Sequence, residues 1–193
     1  MERIASFCVD HTKLDRGMYL SRQDGDVLTW DIRMKKPNQG DYLTTGAAHT
    51  LEHLFATYAR NSAVKDGVIY VGPMGCRTGF YLLTRGLTPA QALELTVDSF
   101  RFMAAFEGDI PGASEVECGN YRDMDLPAAK AEAAAMLPVL DGMSVLSRLH
   151  EQDGPHPAVM VFSAFASPQI GAECAALGVD LFLRKPMEPQ AVC

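Results

Sequence analysis

Hydrophobic residues between positions 45 and 60 recur every three or four residues, which is the spacing of one face of an α-helix. They are Leu51, Leu54, Phe55 and Tyr58. Thr44 or Thr45 precedes them and can cap the first turn with its hydroxyl group. The pattern therefore predicts an amphipathic helix over this stretch.

Three other stretches have the β-branched and aromatic residues of strands, at 27–34, 67–71 and 80–84. The last two are joined by a short loop that contains glycines. Such a loop between two strands predicts an antiparallel pair. Residues 1–25 lack a strand pattern, and we predict an extended arm and loop there.

Two further helices are predicted downstream of these strands. Thr88, Pro89 and Gln91 suit the cap and first turn of one of them. Asp125 can cap the other, an alanine-rich helix over 126–140. Strands and helices follow one another without a regular βαβ order, so we expect an α+β fold with an antiparallel sheet packed against helices.

The pattern changes after about residue 141, where helical and strand-like stretches alternate. They lie at 144–150, 158–164, 168–177 and 179–183. We therefore expect residues 1–142 to form one domain, followed by a fragment over 143–193 with an αβαβ order. Two strands are too few for a stable sheet, so this fragment is not expected to be an independent domain.

The chain has 193 residues and a net charge of −7. The negative charge argues against nucleic acid or an anionic membrane surface as a partner. No hydrophobic run approaches the length of a membrane span, and the charged N-terminus lacks the core of a signal peptide. Five scattered cysteines without a secretion signal indicate free thiols in a reducing cytoplasm.

Candidate chemistry is concentrated on the first predicted helix, at His49, Glu52 and His53. Histidines four positions apart lie on one helix face, where one metal ion can bind both of them. Glu52 can reach the same face, and a carboxylate beside a metal ion suits proton transfer. Two surface histidines on an amphipathic helix would have the same spacing, so the motif alone leaves both interpretations open.

A metal ion that acts on a substrate needs a third protein ligand and an open coordination position. The sequence offers Cys118, Cys76, His11 and several acidic residues, and it does not decide among them. Cys76 lies beside Arg77, whose guanidinium favours a thiolate. This makes Cys76 a candidate general base or nucleophile.

Three blocks of the sequence resemble those of S-ribosylhomocysteine lyases, the LuxS family. They are His49-Thr50-Leu51-Glu52-His53, Gly72-Pro73-Met74-Gly75-Cys76-Arg77-Thr78-Gly79-Phe80-Tyr81 and Glu117-Cys118-Gly119-Asn120-Tyr121. Shorter matches are Ser6-Phe7, Asp10-His11 and Asp31-Ile32-Arg33. The resemblance covers about residues 1–142, with the blocks in the order expected of the family.

The resemblance implies one metal ion bound by His49, His53 and Cys118, with water as the fourth ligand. Fe(II) is the metal of the active family enzyme, and Zn or Co often replaces it. Cys76 and Glu52 would act as the acid and base. Proton shifts would move the carbonyl of S-ribosylhomocysteine from C1 to C3, and β-elimination would release homocysteine and 4,5-dihydroxy-2,3-pentanedione, the precursor of autoinducer-2.

The resemblance further implies that Ser6, His11 and Arg33 contact the ribose or assist proton transfer. Arg60 matches a family arginine whose role is less defined. Family members are homodimers with active sites at the interface, built from both subunits, and their fold is an α+β sandwich. The biological role would be quorum sensing through autoinducer-2 or recycling within the activated methyl cycle.

The fragment over 143–193 is similar to the second half of a response-regulator receiver domain. The similar stretches are 137–142, 159–165 and 181–186, with Ser163 at the hydroxyl position and Lys185-Pro186 at the lysine–proline pair. Ala134 stands where the phosphate-accepting aspartate belongs, so phosphorylation is not expected. We expect the fragment to be poorly ordered, or to pack loosely on the first domain or on another chain.

Two other functions remain open at this point. His49 to His53 also fits the H-x-x-E-H pattern of zinc peptidases, in which the glutamate is the general base. Those enzymes do not require the blocks around Cys76 and Cys118. The receiver-like fragment instead allows a catalytically impaired lyase relic that acts as a signalling or interaction module. Loss of metal binding on replacement of Cys118 would favour the lyase over the peptidase.

Overall fold

The computed structural model describes residues 9–150, 160–163 and 181–184. In the first of these ranges, a four-stranded antiparallel sheet of order β1-β2-β4-β3 packs against helices. The strands are β1 (Gly17–Asp24), β2 (Val27–Arg33), β3 (Val68–Pro73) and β4 (Gly79–Arg85), and the helices are α1 (Thr45–Asn61), α2 (Pro89–Ala105) and α3 (Leu126–His150). The predicted α+β architecture with an antiparallel sheet is confirmed.

Helix α1 directs its predicted hydrophobic face into the core. Leu51, Leu54 and Phe55 are buried. The ring of Phe55 packs edge-on against Phe80 of β4, at a centroid distance of 6.3 Å, and against Phe100 of α2, at 5.7 Å. The helix that carries both candidate histidines is therefore fixed to the sheet and to a second helix.

The helices begin where the capping residues predict. Thr44 caps α1, and its side chain accepts a hydrogen bond of 3.2 Å from the backbone N–H of Ala47. Thr88 and Gln91 form a reciprocal capping box at the start of α2. Asp125 accepts a backbone hydrogen bond of 3.0 Å in the first turn of α3. Each cap satisfies an N–H group that has no partner within its own helix.

Residues 17–24 form a strand, so the prediction of a loop there is wrong. β1 pairs antiparallel with β2 across a short turn that contains Gly25, whose φ of 60° favours glycine. Its first residues are buried and those from Leu20 onward are exposed, with a register shift between Leu20 and Arg22. The bulge breaks the alternation of buried and exposed side chains by which a half-buried strand is predicted.

Helix α3 ends at His150 rather than at about residue 140, and it passes without interruption through the predicted domain boundary at residue 142. Pro138 lies inside it and has no backbone N–H to donate. In the turn before this proline, the carbonyl of Ala135 accepts a hydrogen bond from the guanidinium of Arg16, which ties α3 to the chain ahead of β1. No helix in the described part of the chain is long and apolar enough to cross a membrane.

Beyond residue 150 the structure describes two short strands, β5 (Met160–Ser163) and β6 (Leu181–Arg184), which pair in parallel. Both overlap the strands that the sequence predicts there. Parallel pairing requires a crossover connection between the strands. The predicted helix over 168–177 and the Lys185-Pro186 pair lie outside the described residues. Most of residues 143–193, which we expect to be poorly ordered or to pack loosely, lie outside them as well.

Candidate metal centre and catalytic loop

The structure brings His49, His53 and Cys118 together. The nitrogen and sulfur atoms with which they can bind a metal ion all lie within 4.8 Å of one another. The imidazole rings of the two histidines are 4.9 Å apart between centroids, and Sγ of Cys118 is 3.3 Å from Nε2 of His49. All three side chains are partly buried, so the group is neither enclosed in the core nor fully exposed to solvent.

Backbone carbonyls orient both imidazoles. Nδ1 of His49 donates to the carbonyl of Asp123 at 2.8 Å, and Nδ1 of His53 donates to the carbonyl of Pro111 at 2.7 Å. Because a carbonyl only accepts, the proton of each neutral ring is on Nδ1 and the lone pair is on Nε2. Two imidazole nitrogens and one sulfur are a donor set that fits a borderline divalent metal ion.

The segment that carries these carbonyls and Cys118 is held on α1 by Thr50. This buried hydroxyl donates to the carbonyl of Gly46 at 2.8 Å and accepts from the backbone N–H of Asp125 at 2.8 Å. Ahead of this anchor, the N–H of Cys118 bonds to the carbonyl of Ser114 at 2.9 Å in a tight turn. The cysteine distant in sequence is thus placed beside both histidines.

The two other candidates on α1 lie at different distances from this group. Glu52 is partly exposed and lies directly before His53 on the helix. Arg60 lies in the last turn, seven residues after His53 and about 10 Å farther along the axis. Its guanidinium donates to the backbone carbonyl of Ile69 at 2.8 Å. Arg60 therefore fixes β3 to α1 and does not belong to the metal group.

Cys76 lies at the tip of the β3–β4 connection and is exposed. Its Sγ is 3.0 Å from Oγ1 of Thr78 and 4.0 Å from Nη1 of Arg33. The guanidinium of Arg33 on β2 thus lies beside the thiol, a position that the sequence predicts for the neighbouring Arg77. Arg77 has a φ of 58°, which turns the chain at the tip of the loop.

A buried ion pair lies behind the thiol. Arg33 is 2% exposed, and it donates to the carboxylate of Asp31 and to the hydroxyl of Thr78. Burial raises the pKa of Asp31 above its ordinary value of 3.8, and the charges of Arg33 and His11 only partly oppose this effect. Burial also raises the pKa of Tyr81, and the neighbouring Asp31 adds to the shift.

The raised pKa of Asp31 predicts a pH dependence of stability. The folded state binds a proton at Asp31 more tightly than the unfolded chain, so this contribution is fully present below about pH 3.8 and is lost as the pH rises through the folded pKa. We expect the free energy of unfolding of the wild type, relative to Asp31→Asn, to fall from acid towards neutral pH. Urea unfolding of both proteins at a series of pH values measures this difference in the free energy of unfolding. A difference that stays constant or rises with pH would contradict a raised pKa of Asp31.

Three residues of the site have no role that is predicted from the sequence. Thr78, Asp31 and Thr50 all lie inside or beside the recognised blocks, but only their neighbours were singled out. Asp31 and Arg33 could have been paired from the sequence, because residues two apart in a strand share a face. Nδ1 of His11 donates to the carbonyl of Val9 at 3.0 Å, and His11 lies near Asp31, whereas Ser6 lies outside the described residues.

Comparison with known proteins agrees with this geometry. The family model described as S-ribosylhomocysteinase (LuxS) matches residues 4–144. The S-ribosylhomocysteine lyase of Phocaeicola vulgatus is 52% identical over 143 residues, which cover 71% of this chain and 89% of that protein. The lyase of the same name from Desulfotalea psychrophila is 50% identical over 164 residues, covering 82% of this chain and all of that protein. The chain therefore belongs to the LuxS family.

Proposed function

We propose that this protein is a metal-dependent carbon–sulfur lyase that cleaves S-ribosylhomocysteine into homocysteine and 4,5-dihydroxy-2,3-pentanedione. The observation that carries the proposal is the convergence of His49, His53 and Cys118, donors from two distant segments, within 4.8 Å. Membership of the LuxS family supplies the substrate, since relatives about half identical to this chain are named for it. The peptidase alternative requires no such cysteine.

His49, His53 and Cys118 would hold the metal ion, which we propose to be Fe(II), with Zn or Co as replacements. The metal supplies a Lewis acid that polarises the sugar carbonyl and makes the adjacent carbon acidic. Three protein ligands would leave a coordination position for substrate. Because the side chains of these ligands are only partly buried, a small molecule would reach a metal ion held there.

Cys76 and Glu52 would move the protons. A thiolate at Cys76 would accept a proton from the carbon beside the carbonyl and return it to the former carbonyl carbon, while Glu52 would pass a proton from the adjacent hydroxyl to the carbonyl oxygen; repetition would move the carbonyl from C1 to C3. Loss of a further proton then expels the homocysteine thiolate by β-elimination. The exposure of Cys76 and the position of Glu52 one residue before a proposed ligand support these roles.

The remaining candidates would bind or position the substrate. We assign Ser6 and His11 to contacts with the ribose. Arg33 is buried and paired with Asp31, so its proposed part is to stabilise the environment of Cys76 rather than to enclose the sugar. Arg60 would contribute to substrate binding from the end of α1, where its guanidinium is bound to the carbonyl of Ile69.

The family resemblance also supports a homodimer with active sites at the interface. Large apolar side chains are exposed on both edge strands of the sheet, with Leu20 on β1 53% exposed and Tyr70 on β3 49% exposed. A second copy of the chain would cover such residues. We place the enzyme in the cytoplasm, because Cys76 and Cys118 are both free thiols.

We further propose that residues 143–193 are a receiver-like appendage to the lyase domain. The parallel pairing of β5 with β6 supports this, because parallel strands joined by a crossover are the unit of a receiver sheet. The family match ends at residue 144. Since α3 is continuous from Leu126 to His150, the proposed junction would lie inside a helix rather than in a linker.

The direct test is homocysteine release from S-ribosylhomocysteine by anaerobic, Fe(II)-loaded protein, quantified by mass spectrometry so that the protein's own thiols do not interfere. We expect homocysteine in molar excess over enzyme, and none from chelator-treated protein. A folded, metal-loaded sample without product would contradict the lyase. Light scattering of the same sample tests the dimer, and a monomer would contradict it.

A further inference from the structure

We propose that Thr78 is a positioning residue whose hydroxyl donates a hydrogen bond to Sγ of Cys76 and holds this sulfur as a reactive thiolate. The inference rests on the proposed function, in which Cys76 accepts a proton from substrate. It adds a residue that acts through Cys76 without touching the reacting carbon. The hydroxyl oxygen of Thr78 has three neighbouring contacts, with Nη1 of Arg33, Sγ of Cys76 and Sδ of Met74.

Distance distinguishes the hydroxyl from the guanidinium as the direct partner of the sulfur. Oγ1 of Thr78 is 3.0 Å from Sγ of Cys76, whereas Nη1 of Arg33 is 4.0 Å away. A hydrogen bond to sulfur weakens over such a difference, and the guanidinium then acts mainly by its charge. Thr78 is therefore the closest hydrogen-bonding group to this thiol that the described residues show.

The direction of the bond follows from what each group can donate. Arg33 has no acceptor, so in its bond with Thr78 the guanidinium donates and Oγ1 accepts. The single hydroxyl proton of Thr78 then points elsewhere. The two acceptors near it are Sγ of Cys76 at 3.0 Å and Sδ of Met74 at 3.8 Å. The nearer and more basic sulfur receives the proton, and donation to a charged acceptor is stronger than donation to a neutral one.

The hydroxyl is held in place by a rigid frame. Thr78 is 3% exposed, and its carbonyl accepts from the backbone N–H groups of Met34 and Lys35, both at 2.9 Å. The next residue is Gly79, and a Cβ there would lie 2.0 Å from the carbonyl of Ile32, so the two strands meet more closely than any other residue allows. The exposed thiol thus meets a fixed donor.

The charges around the thiol have opposing signs. The guanidinium of Arg33 lies 4.0 Å from the thiol, and Asp31 partly neutralises its charge through their ion pair. Tyr81 of β4 lies close enough for the charge of Cys76 to contribute to the raised pKa of its phenol. Arg77 is the next residue in the loop. Since the main cation is paired with a carboxylate, a dipolar donor such as Thr78 is needed to stabilise the thiolate.

The test is the rate at which iodoacetamide alkylates Cys76 in Zn(II)-loaded protein, in which Cys118 is protected. The thiolate sulfur attacks the iodoacetamide carbon, a C–S bond forms and iodide leaves with the bonding electrons. Thr78→Val removes the hydroxyl and keeps the shape, and Thr78→Ser keeps the hydroxyl. Mass spectrometry of the peptide that contains Cys76 gives the rate for this residue alone, at equal metal content and neutral pH.

We expect Thr78→Val to be alkylated about ten-fold more slowly than the wild type, because the hydrogen bond to a charged sulfur is lost. Thr78→Ser should restore the rate, and thiolate absorbance near the ultraviolet edge should follow the same order. An unchanged rate in Thr78→Val would overturn the proposal, and so would a serine variant as slow as the valine variant. Neither result would bear on whether the protein releases homocysteine, so the two proposals fail separately.

Discussion

We expect Cys76→Ala to slow homocysteine release by about 10²–10⁴-fold while the protein keeps its metal ion. Alanine cannot accept a proton, and no other described group replaces the sulfur beside Thr78 at 3.0 Å and Arg33 at 4.0 Å. Cys76 is not among the side chains that form the metal group. Turnover should therefore fall in this variant while the metal content stays the same. This result distinguishes a proton-transfer residue from a metal ligand.

Steady-state release of homocysteine and metal content by elemental analysis are measured on the same preparation. Asp26→Asn is the matched control, because Asp26 is exposed in the β1–β2 turn and pairs with Arg85 at the far end of the sheet, at 2.8 Å. A normal rate in Cys76→Ala would show that another group carries the proton. Loss of the metal together with activity would make Cys76 a ligand.

Much of the helical half of this site can be predicted from the sequence, since its determinants are local. The period of the hydrophobic residues places α1, Thr44 marks its start, and the four-residue spacing puts His49 and His53 on one face. These features depend on residues within a few positions of one another. They hold in the structure because the tertiary contacts reinforce the local preferences.

The other half depends on contacts between distant segments. Cys118 reaches the histidines through a loop whose path is set by Thr50 and by carbonyls that have no sequence signal. The guanidinium of Arg33 lies beside Cys76 because the pairing of β2 with β4 brings Arg33 opposite Gly79. Strand β1 and the full length of α3 do not follow from the sequence for different, local reasons. A bulge in β1 interrupts the alternation of buried and exposed residues that predicts a strand. The amino-acid composition changes near residue 141, but α3 continues through that point.

We expect Cys118→Ala to lower the affinity for the metal ion by roughly a hundred-fold or more. The remaining histidines would supply two nitrogens, and two ligands hold a divalent ion far more weakly than three. Their orientation should survive, since the carbonyls of Asp123 and Pro111 are bound to Nδ1 and do not depend on the thiol. The loss should therefore come from the missing sulfur and not from a collapsed site.

Competition with a chromophoric chelator measures the affinity, and substitution with Co(II) identifies the ligand. The wild type should show the sulfur-to-cobalt charge-transfer band, and Cys118→Ala should lack it. Cys76→Ala is the matched control, because it also removes one free thiol but lies outside the metal group, and it should keep both the band and the affinity. If the band instead disappears in Cys76→Ala and persists in Cys118→Ala, the third ligand comes from the β3–β4 loop and the roles of the two cysteines are exchanged.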